Sequence, residues 1–254
     1  MDSDIGLFGT VIAVVAVIIS LMYRLQKPLS VTDYVVNTYL YILLAILLCA
    51  LMILIFDRYQ LFDVRSFSSL KMFSLFILMI LVLCGFMLIS PRHTILRNGL
   101  WVAFIVLIAV TLYPLYEVTK ASGVLWKSLV TVVILVLGLT LVASMVPEGF
   151  FNSWGPYLIM GLVGLIIFQV LDTLFSDPAT VRGHFKVYAV IGILIFSGLV
   201  LYDTGRLYQN AKIVTALCPT PGEQLKCADY PGESLSLFLD IVNLFSSTSM
   251  LQMS

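Results

Sequence analysis

Charged side chains are scarce in this sequence. Lysine, arginine, aspartate and glutamate together make up 11% of the 254 residues, whereas a soluble domain carries about 25%. The basic residues form no run or patch that could hold the phosphates of DNA or RNA, and the formal net charge is zero. This shortage argues against a soluble globular domain and against nucleic acid as a partner.

Motifs for catalysis and for metal binding are also missing. The sequence has no glycine-rich nucleotide loop, no Walker motif, no GxSxG nucleophile elbow and no HExxH zinc motif. Its two histidines, His93 and His184, are predicted in separate loops without ligand partners at a metal-binding spacing. We therefore predict neither an enzyme nor a resident cofactor nor a fixed metal site.

Hydrophobic residues, by contrast, make up 61% of the chain, and the mean hydropathy is +1.07. The apolar runs are long enough to cross about 30 Å of hydrocarbon. They lack the alternation of a membrane barrel, so α-helices are predicted. The predicted spans are residues 5–23, 35–56, 72–89, 98–116, 124–146, 156–175, 185–205 and 235–251. The sequence thus predicts an all-α polytopic membrane protein with eight spans, embedded in the lipid bilayer.

Two features refine this topology. Trp101, Trp126 and Trp154 fall near predicted helix starts, where an indole ring prefers the level of the lipid headgroups.

A long connection is predicted at 206–234, and it contains Cys218 and Cys227 among prolines and glycines. These two cysteines could form a disulfide if the loop faces an oxidising compartment, or remain reduced if it does not.

The last predicted helix carries a polar stripe. Ser236, Asp240, Asn243 and Ser247 recur at steps of four, three and four residues, so they share one helix face. A buried acid in a membrane helix costs about 2.5 to 3.5 kcal/mol on insertion scales. The stripe therefore faces either a water-filled pathway or polar groups on neighbouring helices, and the sequence leaves both alternatives open.

Three other acids lie in or at the ends of predicted spans. Asp203 ends an apolar run and precedes Arg206, which by itself predicts an ion pair at a helix end. Asp172 lies near the end of its span and is expected at the membrane interface. Glu117 follows Pro114, whose missing N–H leaves a helix carbonyl free.

Several of these segments together resemble the transmembrane Bax inhibitor motif family. The matching stretches are Tyr202–Asp203–Thr204, the pair Asp229–Tyr230, and the segment LFLDIVNLF at residues 237–245. The element from Pro114 to Glu117 matches a Pro-x-x-Glu motif of the family. An added first helix and the segment at 176–204 resemble the mitochondrial branch.

The resemblance implies a domain organisation. Residues 1–30 would form an N-terminal anchor helix and linker, and residues 31–254 a seven-helix Bax-inhibitor-type domain with an inserted segment at about 211–229. It also implies the mitochondrial inner membrane, although physical properties alone do not distinguish that membrane from the endoplasmic reticulum.

The implied function is a pH-regulated calcium leak channel or calcium/proton exchanger, with Ca²⁺ as the transported ion. In the family, an aspartate pair matched by Asp203 and Asp240 senses pH. Two neighbouring carboxylates in a low-dielectric site tend to share a proton, with which Ca²⁺ would compete. Ser236, Asn243, Ser247 and Glu117 would line the path. The alternative is a structural subunit of a larger inner-membrane complex, such as a respiratory or ATP-synthase assembly.

Overall fold

A computed structural model of the chain describes residues 2–62, 69–147, 149–175, 178–217 and 224–253. These residues contain eight long α-helices, one single-turn α-helix and one short 3-10 helix, without any strand. The helices are α1 (Asp2–Arg24), α2 (Val31–Tyr59), α3 (Ser69–Leu88), α4 (Thr94–Ala121), α5 (Leu125–Met145), α6 (Gly155–Phe175), α7 (Pro178–Leu217), α8 (Gln224–Cys227) and α9 (Tyr230–Met253). The predicted all-α membrane fold is confirmed.

The eight long helices coincide with the eight apolar runs. Seven of them are long and apolar enough to cross a membrane. The described apolar part of α3 is shorter, at Phe73–Leu88. Helix α2 shows how local sequence sets a boundary, because the side chain of Ser30 accepts a hydrogen bond from the backbone N–H of Asp33 at its first turn.

The connection predicted at 206–234 is largely helical, which corrects the sequence reading. Helix α7 continues to Leu217, and α8 and α9 occupy most of the rest of the described chain. Leu207 and Ala211 explain the extension, since both are fully buried and lie four residues apart on one face of the helix. Residues 218–223 lie outside the described part of the chain.

The chain forms two compact units. The first contains Met1–Glu117 and Ala211–Leu235. Its centre is an aromatic group in which the ring of Tyr41 stacks on Tyr230 at 5.6 Å and meets Trp101 edge-on at 5.5 Å. Trp101 is only 2% exposed and donates a hydrogen bond to Ser234. Trp101 is thus buried in the protein, because its indole N–H finds a partner in the core, and its level relative to the lipid headgroups stays a prediction.

Helix α1 is attached to α2 by a charged side chain in the same unit. Arg24 donates hydrogen bonds to Asp33 at 2.7 Å and to Asn37 at 2.9 Å. Asn37 in turn donates to the side-chain oxygen of Gln224, which also accepts from the hydroxyl of Tyr230. This polar network holds the first two helices and the short helix α8 together.

The second unit contains Val118–Asn210 and Ser236–Ser254. Helices α6 and α7 pack closely where Gly198 meets Leu158, since a Cβ at Gly198 would lie 2.6 Å from Cδ2 of that leucine. Helices α5 and α9 are joined by a hydrogen bond of 3.0 Å from Ser128 to Gln252. This unit contains both aspartates of the predicted pair.

Candidate functional site: the aspartates of helices α7 and α9

Helices α7 and α9 bring Asp203 and Asp240 together in the second unit. Close packing of the two helices is possible because Gly192 has no side chain, and a Cβ there would lie 2.5 Å from Oγ of Ser247. The two carboxyl groups lie within hydrogen-bonding reach of each other. The juxtaposition predicted from the sequence is therefore present in the structure.

A hydrogen bond between two carboxyl groups requires one of them to carry a proton, because an ionised carboxylate can only accept. Two ionised carboxylates at this distance would repel each other strongly in a medium of low dielectric constant. Two carboxyl groups at this distance therefore favour a shared proton over two negative charges.

The two members of the pair have different surroundings. Asp203 is half-buried, accepts a hydrogen bond from the hydroxyl of Ser236 and interacts with the positive charge of Arg206. Asp240 is only 6% exposed. Its Oδ2 atom is buried and has no hydrogen-bond partner among the described residues. Such an oxygen is costly to bury, so it is available to a proton or to a bound cation.

The polar stripe on α9 continues from the pair along the helix. Ser236 bonds to Asp203, Asn243 is half-buried, and Ser247 is buried against Gly192 of α7. The stripe therefore faces protein at both Ser236 and Ser247, not lipid alone.

Sequence reasoning missed three hydroxyl groups in the same unit. Thr204, Thr248 and Ser249 are buried, and their hydroxyl oxygens have no hydrogen-bond partner in the part of the chain that the structure describes. Thr204 directly follows Asp203, while the other two directly follow Ser247. Their positions next to residues already singled out were the available signal.

Other predicted site residues lie elsewhere. Glu117 is half-buried on α4 and belongs to the first unit, so its role as a lining residue stays a prediction. Cys227 is disulfide-bonded, whereas Cys218 lies outside the described residues, and their pairing also stays a prediction. Cys49 and Cys84 are free.

Asp172 lies near the end of α6, where the sequence placed it, but its side chain is buried within the protein. Its position at the membrane interface stays a prediction. The residue is 8% exposed and accepts a hydrogen bond of 2.5 Å from the hydroxyl of Tyr188. Nδ1 of His184 lies 3.0 Å from the same carboxylate oxygen. The histidine belongs to α7 and not to a loop, because that helix begins earlier than the apolar run indicated.

The pair offers oxygen atoms to a hard cation such as Ca²⁺, which takes six to eight oxygen ligands. In the described part of the chain, no three side chains of His, Cys, Asp or Glu converge as a metal site. A cation at Asp203 and Asp240 would therefore need hydroxyl groups and water to complete its shell.

Comparison with known proteins gives these contacts a context. The family model described as inhibitor of apoptosis-promoting Bax1 matches residues 31–253. The growth hormone-inducible transmembrane protein of Rattus norvegicus is 32% identical over 111 residues, which cover 42% of this chain and 30% of the rat protein. Protein LIFEGUARD 2 of Arabidopsis thaliana is 24% identical over 181 residues, covering 69% of this chain and 68% of the plant protein.

An uncharacterized protein of Caulobacter vibrioides is 34% identical over 94 residues, covering 37% of this chain and 34% of the bacterial one. The chain thus matches about a third of the length of the bacterial and rat relatives. The family match is far more extensive, and it confirms the resemblance seen in the C-terminal motifs. On the match over residues 31–253, this membrane protein belongs to the Bax inhibitor family.

Proposed function

We propose that this chain is a pH-regulated calcium channel or calcium/proton exchanger of the mitochondrial inner membrane, gated by Asp203 and Asp240. The observation that carries the proposal is the contact between two carboxyl groups on α7 and α9, one of them almost fully buried. A membrane protein places acids in this way at a high energetic cost. A purely structural contact would be made more cheaply by two neutral side chains.

The proposed mechanism follows from the shared proton. At low pH, one carboxyl group donates to the other and the two helices stay together. At higher pH the proton leaves, the two negative charges repel each other, and their oxygens become ligands for Ca²⁺. Flux is therefore expected to rise with pH.

The cation path is proposed along the stripe of α9. The hydroxyl of Ser236 bonds to the pair on one side, and Asn243 and Ser247 follow on the other. Hydroxyl and amide oxygens can replace part of the hydration shell of a hard cation.

The proposed location rests on resemblance to the mitochondrial branch of the family, carried by the added helix α1 and the segment at 176–204. We also propose transport without a resident cofactor and without an enzymatic step. Fractionation of cells that express a tagged chain, with markers for the inner membrane and for the endoplasmic reticulum, tests the location.

Calcium flux into liposomes that contain the purified chain tests the function. We would compare the wild type with Asp203→Asn and Asp240→Asn at several values between about pH 5 and 8, using a calcium-sensitive dye. The wild-type flux is expected to rise with pH. In each asparagine variant the replaced side chain keeps its shape but cannot ionise, so the pair can never carry two negative charges. Flux should therefore be low at every pH. Asp33→Asn, in the first unit, is the matched control and should retain the pH dependence.

Two results would contradict the proposal. One is wild-type flux that both asparagine variants retain with the same pH dependence. The other is a complete lack of flux in folded wild-type protein, which would favour a structural subunit and direct attention to the proteins that co-purify with the chain.

A further inference from the structure

The junction between α1 and α2, residues 25–30, is held by a side chain from a distant part of the sequence. Gln224, in the single-turn helix α8, is fully buried. Its side-chain nitrogen donates a hydrogen bond to the backbone carbonyl of Lys27 in the junction. The oxygen of the same amide accepts hydrogen bonds from Asn37 of α2 at 3.3 Å and from the hydroxyl of Tyr230 at 3.0 Å. One amide group thus binds α8 to the junction and to α2.

The network continues from this amide to the end of α1. The side-chain oxygen of Asn37 accepts a hydrogen bond of 2.9 Å from Arg24, the last residue of α1. Arg24 also forms an ion pair of 2.7 Å with Asp33 in the first turn of α2. The two side chains of this ion pair are 24% and 27% exposed, so water weakens their contact. The amide of Gln224 is therefore the part of the network that is shielded from water.

Helix α8 is too short to keep its position by itself. It contains four residues, Gln224–Cys227, and a single helical turn is unstable in water because its nucleation costs more than it returns. The backbone N–H of Ala228 donates to the carbonyl of Gln224 at 2.8 Å and closes the turn. Cys227, at the other end of the turn, is disulfide-bonded. The amide at one end and the disulfide at the other therefore fix α8 in place.

The two ends of α8 differ in exposure. Cys227 is exposed, although Gln224, three residues earlier, is fully buried. Exposed disulfides are more readily reduced than buried ones, because a thiolate must reach one of the sulfur atoms. A reductant can thus reach the bond that restrains α8 while the hydrogen bonds of Gln224 remain closed to water.

We propose that the disulfide of Cys227 is a redox-sensitive latch on the junction between α1 and α2. In the oxidised form, the cross-link restrains α8 and keeps the amide of Gln224 on Lys27 and Asn37. Reduction removes this restraint, so the single turn opens, the amide leaves the junction, and the end of α1 separates from α2. This regulation is independent of the proposed transport.

The chemical step is thiol–disulfide exchange with a dithiol as the reductant. A thiolate of the dithiol attacks one sulfur of the disulfide, the S–S bond breaks, and the leaving cysteine thiolate takes up a proton. The second thiol of the reductant then displaces the other cysteine from the mixed disulfide. Two electrons and two protons pass to the two cysteines, and the reductant ends as its own disulfide.

Hydrogen exchange measured by mass spectrometry tests the latch on the full chain in detergent micelles. The exchange of backbone amides would be compared before and after incubation with dithiothreitol. The reporters are the N–H groups of Leu25, Lys27 and Tyr34, which form hydrogen bonds at the end of α1, in the junction and at the start of α2. Peptides from α6, in the second unit, report on unfolding of the rest of the chain.

Three variants accompany the wild type. Cys227→Ser removes the disulfide. Gln224→Leu keeps the disulfide and removes the hydrogen bonds of the amide. Cys84→Ser is the matched control, because Cys84 is an exposed cysteine that is free.

Reduction of the wild type is expected to speed exchange at the three reporters at least about tenfold, since loss of a disulfide usually destabilises the segment that it restrains by more than this. Exchange in α6 should stay unchanged. Cys227→Ser should exchange at the faster rate without dithiothreitol and should not respond to it. Gln224→Leu should exchange fast even when oxidised, because the amide makes the contact with the junction. Cys84→Ser should behave as the wild type does.

Three results would overturn the latch. One is equal exchange at the reporters in oxidised wild type, reduced wild type and Cys227→Ser. Another is an increase in α6 as large as that at the reporters, because the disulfide would then stabilise the whole chain. The third is slow exchange at the junction in oxidised Gln224→Leu. Faster exchange confined to the junction, in reduced wild type and in Cys227→Ser, supports the proposal.

Discussion

Replacement of Arg97 by methionine is expected to destabilise the first unit strongly. Arg97 is 8% exposed. Its Nε atom donates to Oδ1 of Asp229 at 2.7 Å, and Nη2 donates to Oδ2 of the same carboxylate. Its Nη1 atom donates to the carbonyl oxygens of Phe86 at 2.6 Å and Ile89 at 2.7 Å. One guanidinium thus joins the end of α3 to the start of α9.

The magnitude follows from what the methionine would leave behind. Loss of one partner of a buried ion pair costs about 3 to 5 kcal/mol. The side chain of Asp229 is 26% exposed, so water offsets part of that cost, and the lower half of the range applies. The carbonyls of Phe86 and Ile89 lose a charged donor as well, worth about 1.5 kcal/mol or more for each such hydrogen bond when it cannot be replaced. These contributions add up to a total loss of about 6 kcal/mol.

A double-mutant cycle in detergent micelles tests this value. The free energy of unfolding would be measured for wild type, Arg97→Met, Asp229→Leu and the double variant by denaturant titration. The double variant should be more stable than the sum of the single losses predicts, by at least about 1.5 kcal/mol. Arg97→Lys is the matched control for charge, and it should recover only part of the stability because lysine cannot make the paired contact. A single loss below about 1 kcal/mol with no coupling would refute the reasoning.

Two further predictions concern the region around α8. Gln224→Leu should lower the free energy of unfolding by about 2 to 3 kcal/mol, because the fully buried amide of Gln224 accepts hydrogen bonds from Asn37 and Tyr230 and its loss leaves these buried donors unpaired. Gln60→Leu, at an exposed helix end, is the control. Equal effects of the two substitutions would contradict the role of burial. A non-reducing mass spectrum should contain a peptide that joins Cys218 to Cys227, and alkylation of Cys227 in unreduced protein would contradict its disulfide bond.

The positions of the helices were predictable because each membrane helix is a long apolar run. The ends of the helices were harder to predict, as α7 illustrates. Residues after Arg206 are polar enough to read as a loop, yet Leu207 and Ala211 continue the buried face. The signal for a longer helix was the four-residue spacing of Leu207 and Ala211 within a polar segment. A hydropathy average over a window hides this spacing because the polar neighbours dominate the average.

The site was predictable only where its residues form a motif. Asp203 and Asp240 were paired from the resemblance of their flanking sequences to the family, and the structure brings them together. Asp172 and His184 belong to different helices and match no motif, so their contact depends on how α6 and α7 pack. The burial of Trp101 was missed for the opposite reason, because its position at a helix start suggested an exposed indole while a partner in the core, Ser234, was available.

The position of Asp203 at one end of the apolar part of α7 determines how the membrane voltage would act on a transported cation. Its apolar part from Val187 to Tyr202 covers sixteen residues, about 24 Å at 1.5 Å per residue, and Asp203 follows directly. In the proposed transport, a cation that reaches Asp203 from the nearer surface would therefore have crossed little of the electric field. Transfer of a unit charge across the whole membrane is worth about 2.3 kcal/mol per 100 mV, and most of that energy would act on the movement between Asp203 and the end of α7 that carries His184. The membrane potential would thus alter the rate of passage far more than the occupancy of the aspartate pair.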